Sequence, residues 1–407
     1  MRCGLLGKKL GHSYSPQIHS YLGTYSYDLF EKQPEELESF LKTGDFQGLN
    51  VTIPYKKDVL PYCDELSERA RLLGSVNTIV RRKDGRLIGH NTDYFGFQSL
   101  LKRSGLHVSN KKVLVLGSGG ASATVVAVLK LQKANVIVIS RSGENNYSNL
   151  HLHADASVIV NTTPVGMYPH TGESVIDLDR FHMLEGVLDV VYNPARTQLL
   201  LDAEKKGLIT ENGLWMLVAQ AKESAEWFTG KQISDDSIAQ IHAILRRQME
   251  NIVLIGMPGC GKSTIGKVLA NQLGKGFIDI DEQIVNHAGM SIPEIFAQYG
   301  EEGFRKLETE LLSHYGKESG LVISTGGGCV TRAENYPLIH QNGRIIWIQR
   351  DLSLLPTDGR PLSQKNMLGE MYRLRKPLYD QFSDYAVDNN GTLNETIRTI
   401  LHKEEHQ

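Results

Sequence analysis

Three sets of residues have the types and spacing that chemistry needs. Gly256-Met257-Pro258-Gly259-Cys260-Gly261-Lys262-Ser263 has the form GxxxxGKS. Its glycines let backbone N–H groups converge on phosphate oxygens, its lysine neutralises the outer phosphates, and its serine hydroxyl suits Mg²⁺. The strand-like run 251–255 precedes it and a helical pattern follows, as that mechanism requires. Gly259, Cys260, Gly261, Lys262, Ser263 and Thr264 are therefore the expected ATP contacts. Downstream, Asp279 and Asp281 close a strand-like run two residues apart, which on a strand places both carboxylates on one side. One suits Mg²⁺ and its waters and the other a substrate hydroxyl, while capping the next helix is an equal use for either. Gly326-Gly327-Gly328, after another β-branched run, gives a second point of close backbone approach.

The second set is Gly117-Ser118-Gly119-Gly120-Ala121, a loose GxGxxG between an apolar strand and an apolar helix, the context of a dinucleotide site. The next strand runs into Ser140-Arg141-Ser142, where an NAD site usually places an acid. Arginine there matches a 2′-phosphate and favours NADP; an exposed strand-end arginine is the plain alternative. The third set lies near the start. Ser13 and Ser15 offer hydroxyls at i and i+2 ahead of a helix, suited to an anion, or merely an N-cap with Pro16 at N1. Lys56 follows the strand-like Asn50-Val51-Thr52, and Asp93 supplies a carboxylate. A lysine beside an aspartate is, on its own, most plainly a surface ion pair.

Positioning such turns takes strands that alternate with helices, the pattern of parallel α/β sheets with ligands at the strand ends. Two phosphate-binding turns of different type imply two nucleotide domains on one chain. The boundary is expected near 246–251, giving domains 1–247 and 250–407. With 407 residues the chain has length for two or three domains. At 41% hydrophobic and 22% charged residues it is not disordered. Lys plus Arg number 44 against 46 acids, a net charge of −2, which gives no electrostatic footprint for nucleic acid or an anionic membrane. Cys3, Cys63, Cys260 and Cys329 are widely separated, so neither a disulfide framework nor a zinc cluster is expected. No apolar run reaches the 18 or so residues of a membrane span, and the start carries no signal-like stretch, so a cytoplasmic protein is expected. Oligomeric state is not legible.

The later half resembles shikimate kinase over about residues 251–400. The phosphate loop, Asp279-Ile280-Asp281, Gly303-Phe304-Arg305-Lys306-Leu307-Glu308, the triple glycine, Gly359-Arg360-Pro361-Leu362 and Arg375-Lys376-Pro377-Leu378-Tyr379 carry the likeness. It implies that Asp281 receives the substrate hydroxyl and that Arg305 and Arg375 clamp a carboxylate. Gly326, Gly327 and Gly328 would line the acceptor pocket, Arg360 would close over the phosphates from a lid, and Ser263 and Asp279 would serve Mg²⁺. The chain departs from the family between Trp347 and Arg360, where it is shorter and lacks the arginine near the base, and around Asn389-Asn390-Gly391, which lacks a late arginine.

The earlier half resembles shikimate dehydrogenase over about residues 1–245. The matching segments are Ser13-Tyr14-Ser15-Pro16, Asn50-Val51-Thr52 with Pro54 and Lys56, Gly74-Ser75-Val76-Asn77-Thr78 and Asn91-Thr92-Asp93. They continue through the glycine turn, Asn161–Met167, Asp189–Pro194 and Asn212–Ala221. The likeness implies a two-lobed enzyme, with a substrate lobe of 1–95 plus helices about 212–247, and a Rossmann-type NADP lobe of about 96–211. Ser13 and Ser15 would hold the substrate carboxylate, while Thr52, Asn77, Asp93, Tyr192 and Gln220 contact the ring. Lys56 and Asp93 would be the catalytic pair, with Gly117 to Ala121, Arg141, Val190 and Gly213 at the cofactor. Only about twenty residues separate Arg141 from Asn161, fewer than the family usually has, and 143–149 reads as a loop. The joint expectation is NADPH-dependent reduction of 3-dehydroshikimate followed by ATP- and Mg²⁺-dependent phosphorylation of shikimate. Its rivals are a quinate-type dehydrogenase fused to another small-metabolite kinase, and a fusion in which one half binds without turnover.

Overall fold

The runs of Val, Ile and Leu that flank both glycine turns form strands buried on both faces, the arrangement that makes parallel sheets read as continuous apolar segments. The structure is a computed structural model and describes residues 1–11, 13–355 and 365–405. Among these, the strands form three sheets.

The first sheet contains β1 (Arg2–Gly7), β2 (Ser26–Glu31), β3 (Gly48–Val51), β4 (Glu65–Leu66), β5 (Thr78–Arg81) and β6 (Leu87–His90), in the order β2-β1-β3-β5-β6-β4. It is mixed: β5 runs antiparallel to both β3 and β6. The second contains β7 (Lys112–Leu116), β8 (Asn135–Ile139), β9 (Val158–Asn161), β10 (Gly186–Asp189) and β11 (Ile209–Glu211). Its order is β11-β10-β9-β7-β8 and every pairing is parallel, with β8 alone on the far side of β7. Only a short 3₁₀ turn, Leu150–His153, lies between β8 and β9, so the expected trimming is seen in the backbone. The third sheet contains β12 (Asn251–Ile255), β13 (Gly276–Asp279), β14 (Leu321–Ser324), β15 (Gly343–Gln349) and β16 (Tyr385–Asp388). It is also parallel throughout, in the order β13-β14-β12-β15-β16.

Two compact units emerge from the contacts. One comprises 1–167, 173–192 and 199–245; the other comprises 168–172, 193–198 and 246–407. The second unit thus includes two short segments from earlier in the chain. Within it the Arg196 guanidinium donates to the His340 carbonyl at 3.0 Å, and the Ala195 N–H donates to Asn342 Oδ1 at 2.7 Å. In the first unit the helix Leu214–Thr229 packs against the helices Asp93–Ser104 and Ser15–Leu22. Gly96 makes the first contact possible: a Cβ there would meet the Met216 carbonyl at 2.8 Å. Among the described residues no helix is long and apolar enough to cross a membrane.

Candidate active sites

In the first unit Lys56 Nζ lies 2.6 Å from Asp93 Oδ2, both only partly exposed. Lys56 follows the end of β3, and Asp93 opens the helix Asp93–Ser104, where first-turn N–H groups favour negative charge. Beside them is a buried polar web. The Asn77 amide donates to Thr92 Oγ1 at 2.9 Å and to Gln220 Oε1 at 3.5 Å, and the Thr92 N–H donates to Asn77 Oδ1 at 2.7 Å. The web continues through Asn50, whose amide donates to Ser224 Oγ at 2.7 Å and which accepts from Tyr27 Oη at 2.8 Å. Each polar atom enclosed here costs free energy unless bonded, so the web fixes the rotamers of Asn77 and Gln220.

Ser15 differs from its plain sequence reading. Tyr14 occupies the N-cap, and Ser15 is the first helical residue, buried, with its N–H donating to Ser13 Oγ at 3.2 Å. Tyr192 meets the same loop, its ring edge-on to Tyr14 at 6.2 Å, and burial raises its phenol pKa. Thr52 is half-buried, with its N–H committed to the Leu6 carbonyl. Ser13, Ser15, Asn50, Asn77, Asp93 and Gln220 are thus set on neighbouring elements of one unit. The reading of the sequence missed Ser224 and Tyr27. Ser224 stands one helical turn after Gln220, and that i, i+4 spacing of polar residues on an otherwise apolar helix was the available signal.

At the dinucleotide turn, Gly119 is the N-cap of the helix Gly120–Leu131 and no side chain among the described residues caps it, so the first N–H groups are left for a ligand. A Cβ at Gly119 or Gly120 would touch none of the described atoms, and residues 118–120 are exposed. Arg141 lies just past β8, also exposed. These features fit a pyrophosphate on the helix and a 2′-phosphate beside the arginine. Gly213 serves a different purpose, because a Cβ there would run into the Val190 carbonyl and only glycine lets the two backbones pass. Val190 and Gly213 therefore adjoin one another.

In the second unit Gly261 takes φ +102° as the N-cap of the helix Lys262–Leu273, a conformation that side chains resist. Lys262 is buried and its Nζ donates to the Gly256 and Met257 carbonyls at 2.9 and 3.1 Å. Cys260 turns its thiol inward, its carbonyl accepts from Asn389 Nδ2 at 2.7 Å, and its N–H donates to the Met257 carbonyl at 3.2 Å. Thr264 is exposed. Ser263 Oγ donates to Asp279 Oδ2 at 2.5 Å. Asp279 also caps the following helix, accepting from the N–H groups of Asp281 and Glu282. The helix-capping use of that carboxylate is therefore seen directly. A hydroxyl and a carboxylate oxygen, partly buried and adjacent, are donors suited to Mg²⁺.

The geometric reason given for pairing Asp279 with Asp281 does not hold. β13 ends at Asp279, and Asp281 lies in the first turn of the helix Ile280–Ala288 rather than on the strand. The helix nonetheless brings it to the triple glycine, where a Cβ on Gly326 would stand 3.0 Å from Asp281 Oδ1. Gly328 abuts the Arg305 guanidinium, and the Gly327 carbonyl accepts from Arg375 Nη1 at 3.1 Å and Tyr379 Oη at 2.5 Å. A Cβ at Gly327 would also meet Pro258 of the phosphate loop at 2.6 Å. Asp281, Arg305, Arg375 and the three glycines are thus one cluster beside that loop. Glu308, fully buried, binds Arg305 Nη1 at 2.7 Å through one oxygen. Burial raises its pKa, with Arg305 opposing and Asp281 adding to the rise. Its role was not read from the sequence, although its i, i+3 spacing from Arg305 was visible. Arg360 lies outside the described residues.

A mixed sheet joined to a parallel sheet with a dinucleotide-type turn, followed by a parallel sheet with a phosphate loop and an arginine cluster beside it, defines a nucleotide-dependent oxidoreductase and a small-metabolite kinase on one chain. Comparison with known proteins narrows both. Residues 5–79 match the shikimate dehydrogenase substrate binding domain, and residues 258–404 match shikimate kinase. The chain is 37% identical over 269 residues to shikimate dehydrogenase (NADP(+)) of Caldicellulosiruptor saccharolyticus, covering 58% of this chain and 95% of that one. Among solved structures it is similar to shikimate dehydrogenase 1 of Peptoclostridium difficile, with 35% identity, a TM-score of 0.56, and coverage of 60% and 97%. It is also similar to quinate dehydrogenase of Corynebacterium glutamicum in complex with NAD, with 28% identity, a TM-score of 0.55, and coverage of 60% and 98%. The chain belongs to the shikimate dehydrogenase family through its earlier half and carries a shikimate kinase domain in its later half, so it is a bifunctional enzyme of the shikimate pathway.

Proposed function

We propose that Lys56 and Asp93 carry the proton transfer when the first unit reduces 3-dehydroshikimate to shikimate, and that Asp281, Arg305 and Arg375 receive shikimate for phosphorylation in the second. The 2.6 Å contact between Lys56 Nζ and Asp93 Oδ2 carries the first half of this reading. Lys56 holds a proton at Nζ for the carbonyl oxygen, and Asp93 keeps that ammonium oriented and helps return the pair to its starting charge. NADPH, when bound, supplies the hydride that the carbonyl carbon accepts. Asn77 and Gln220, locked by their web, orient the ring hydroxyls, and Ser13 with Ser15 takes the carboxylate.

In the second unit Arg305 and Arg375 suit the same carboxylate as paired forks, and Asp281 is placed to take the hydroxyl proton as phosphoryl transfer proceeds. Glu308 positions Arg305. Ser263 and Asp279 would hold Mg²⁺, which when bound offsets charge on the phosphates. The substrates are small molecules, and a cytoplasmic setting matches both activities. Quinate is the alternative ring for the first unit, favoured by its likeness to a quinate dehydrogenase. The test follows NADPH loss and ADP formation in one vessel with 3-dehydroshikimate, ATP and Mg²⁺. Both signals should appear, with ADP formation lagging and dependent on NADPH. Faster oxidation of quinate with NAD than of shikimate with NADP would replace this reading by the alternative.

A further inference from the structure

We propose that Arg350 is the nucleotide-gripping residue of the kinase unit, acting through phosphate charge at the nucleoside end of the triphosphate; this rests on the kinase reading above. The order β13-β14-β12-β15-β16 puts the phosphate loop, which follows β12, between two groups of strand ends. Asp279, Asp281 and Gly326–Gly328 follow β13 and β14, so phosphoryl transfer belongs to that side. Arg350 and Asn389 follow β15 and β16 on the other side, where the nucleoside end must lie.

The backbone ties Arg350 to the loop. Two residues before it, the Ile348 carbonyl stands 2.5 Å from where a Cβ on Gly256 would be. Arg350 Nη1 stands 4.0 Å from the corresponding position on Gly261, the residue before Lys262. The arginine is half-buried, and its Nε is enclosed with no hydrogen-bond partner among the described residues. No acidic side chain among those residues pairs with it either. The neighbouring Asp388 is engaged by the N–H and amide of Asn390. Asn389, by contrast, is committed, bonded to the Cys260 carbonyl and to Thr396 Oγ1 at 2.8 Å.

A guanidinium partly removed from water beside a phosphate loop, with its charge uncompensated by the described residues, calls for an anion. The phosphate nearest the nucleoside is the anion the site would meet. Such a grip is blind to the base. It therefore makes ATP and GTP comparable ligands.

The experiment titrates the full-length protein with ATP, GTP and inorganic triphosphate in Mg²⁺, without shikimate, for wild type, Arg350→Ala, Arg350→Gln and Arg350→Lys. Arg350→Ala and Arg350→Gln should weaken all three ligands by about 10- to 100-fold, the range for a charge-assisted hydrogen bond, while Arg350→Lys recovers much of the loss. Shikimate affinity should be unchanged, which shows that the second unit remains folded; if Arg350→Ala does not fold, the other two variants carry the comparison. A loss confined to ATP and not recovered by lysine would show contact with the base and overturn the proposal, as would unchanged affinity for all three. Absence of triphosphate binding by the wild type would instead sink the kinase reading itself.

Discussion

The chain builds a phosphate-facing glycine turn twice, and in opposite ways. At Gly117–Ala121 the turn is exposed, the Cβ positions of Gly119 and Gly120 are open, and no described side chain caps the helix behind it. At Gly256–Ser263 the turn is closed and carries its own cation. Lys262 is folded against the loop's carbonyls, Asn389 pins Cys260, and Gly261 is held at φ +102° with Asn389 Nδ2 2.8 Å from where its Cβ would be. The first turn offers a helix end to its ligand, and Arg141, proposed to discriminate between cofactors, lies just past the next strand. The second concentrates charge in the loop, as transfer of a phosphoryl group demands. Glycine therefore means access at Gly119 and Gly120 and backbone strain relief at Gly261, a use that Gly117, at φ +104°, shares in the first turn.

The sharpest way to break this contrast is to remove each unit's lysine. Lys262→Ala should abolish ATP-dependent shikimate phosphorylation and leave NADPH-dependent reduction intact. Lys56→Ala should lower kcat for reduction by about 10²–10⁴, the usual effect of losing a general acid, with phosphorylation nearly untouched. Loss of both activities in either variant, followed in the same assay, would show that the units do not work separately.

A smaller effect is expected at Arg141. Arg141→Ala should raise KM for NADPH by about 10- to 100-fold, as for one lost charge-assisted bond, and KM for NADH far less. Equal use of both cofactors by the wild type would remove the arginine from that role. The smallest effects compare the turns themselves. Gly120→Ala meets no steric obstacle, so melting should be unchanged while KM for NADPH rises. Gly261→Ala should destabilise the second unit by roughly 1–2 kcal/mol, the cost of a left-handed side-chain residue, before any ligand is added. Differential scanning calorimetry on both variants decides whether the two glycines really differ in purpose.

Much of this was legible because the chemistry is written in contiguous motifs. GxxxxGKS and the glycine turn each carry their meaning in residue type and spacing, whereas Lys56 and Asp93, 37 positions apart, took theirs from the family likeness. What failed to show was whatever depends on where an element ends. Asp279 and Asp281 look like one strand face, but the Asp279 carboxylate caps the next helix and so stops the strand between them. Ser15 looks like a cap, yet the helix begins one residue earlier. Long-range partners were also silent. Ser224 completes the web around Asn77 by bonding Asn50, Thr78 and Thr92, which lie 132 to 174 positions away, and no local pattern records such pairings. Arg350 sits in no motif, and only the folding of β15 against β12 brings it beside the phosphate loop.

The inclusion of 168–172 and 193–198 with 246–407 bears on how the protein is made. Both segments leave the ribosome before any residue of the later stretch, so the second unit closes around pieces already delivered. The dependence runs one way in time. By the end of residue 245 the earlier unit has all its strands, whereas the later one needs Ala195 and Arg196 for bonds to Asn342 and His340. A gene cut at its most obvious boundary would leave one unit whole and divide the other.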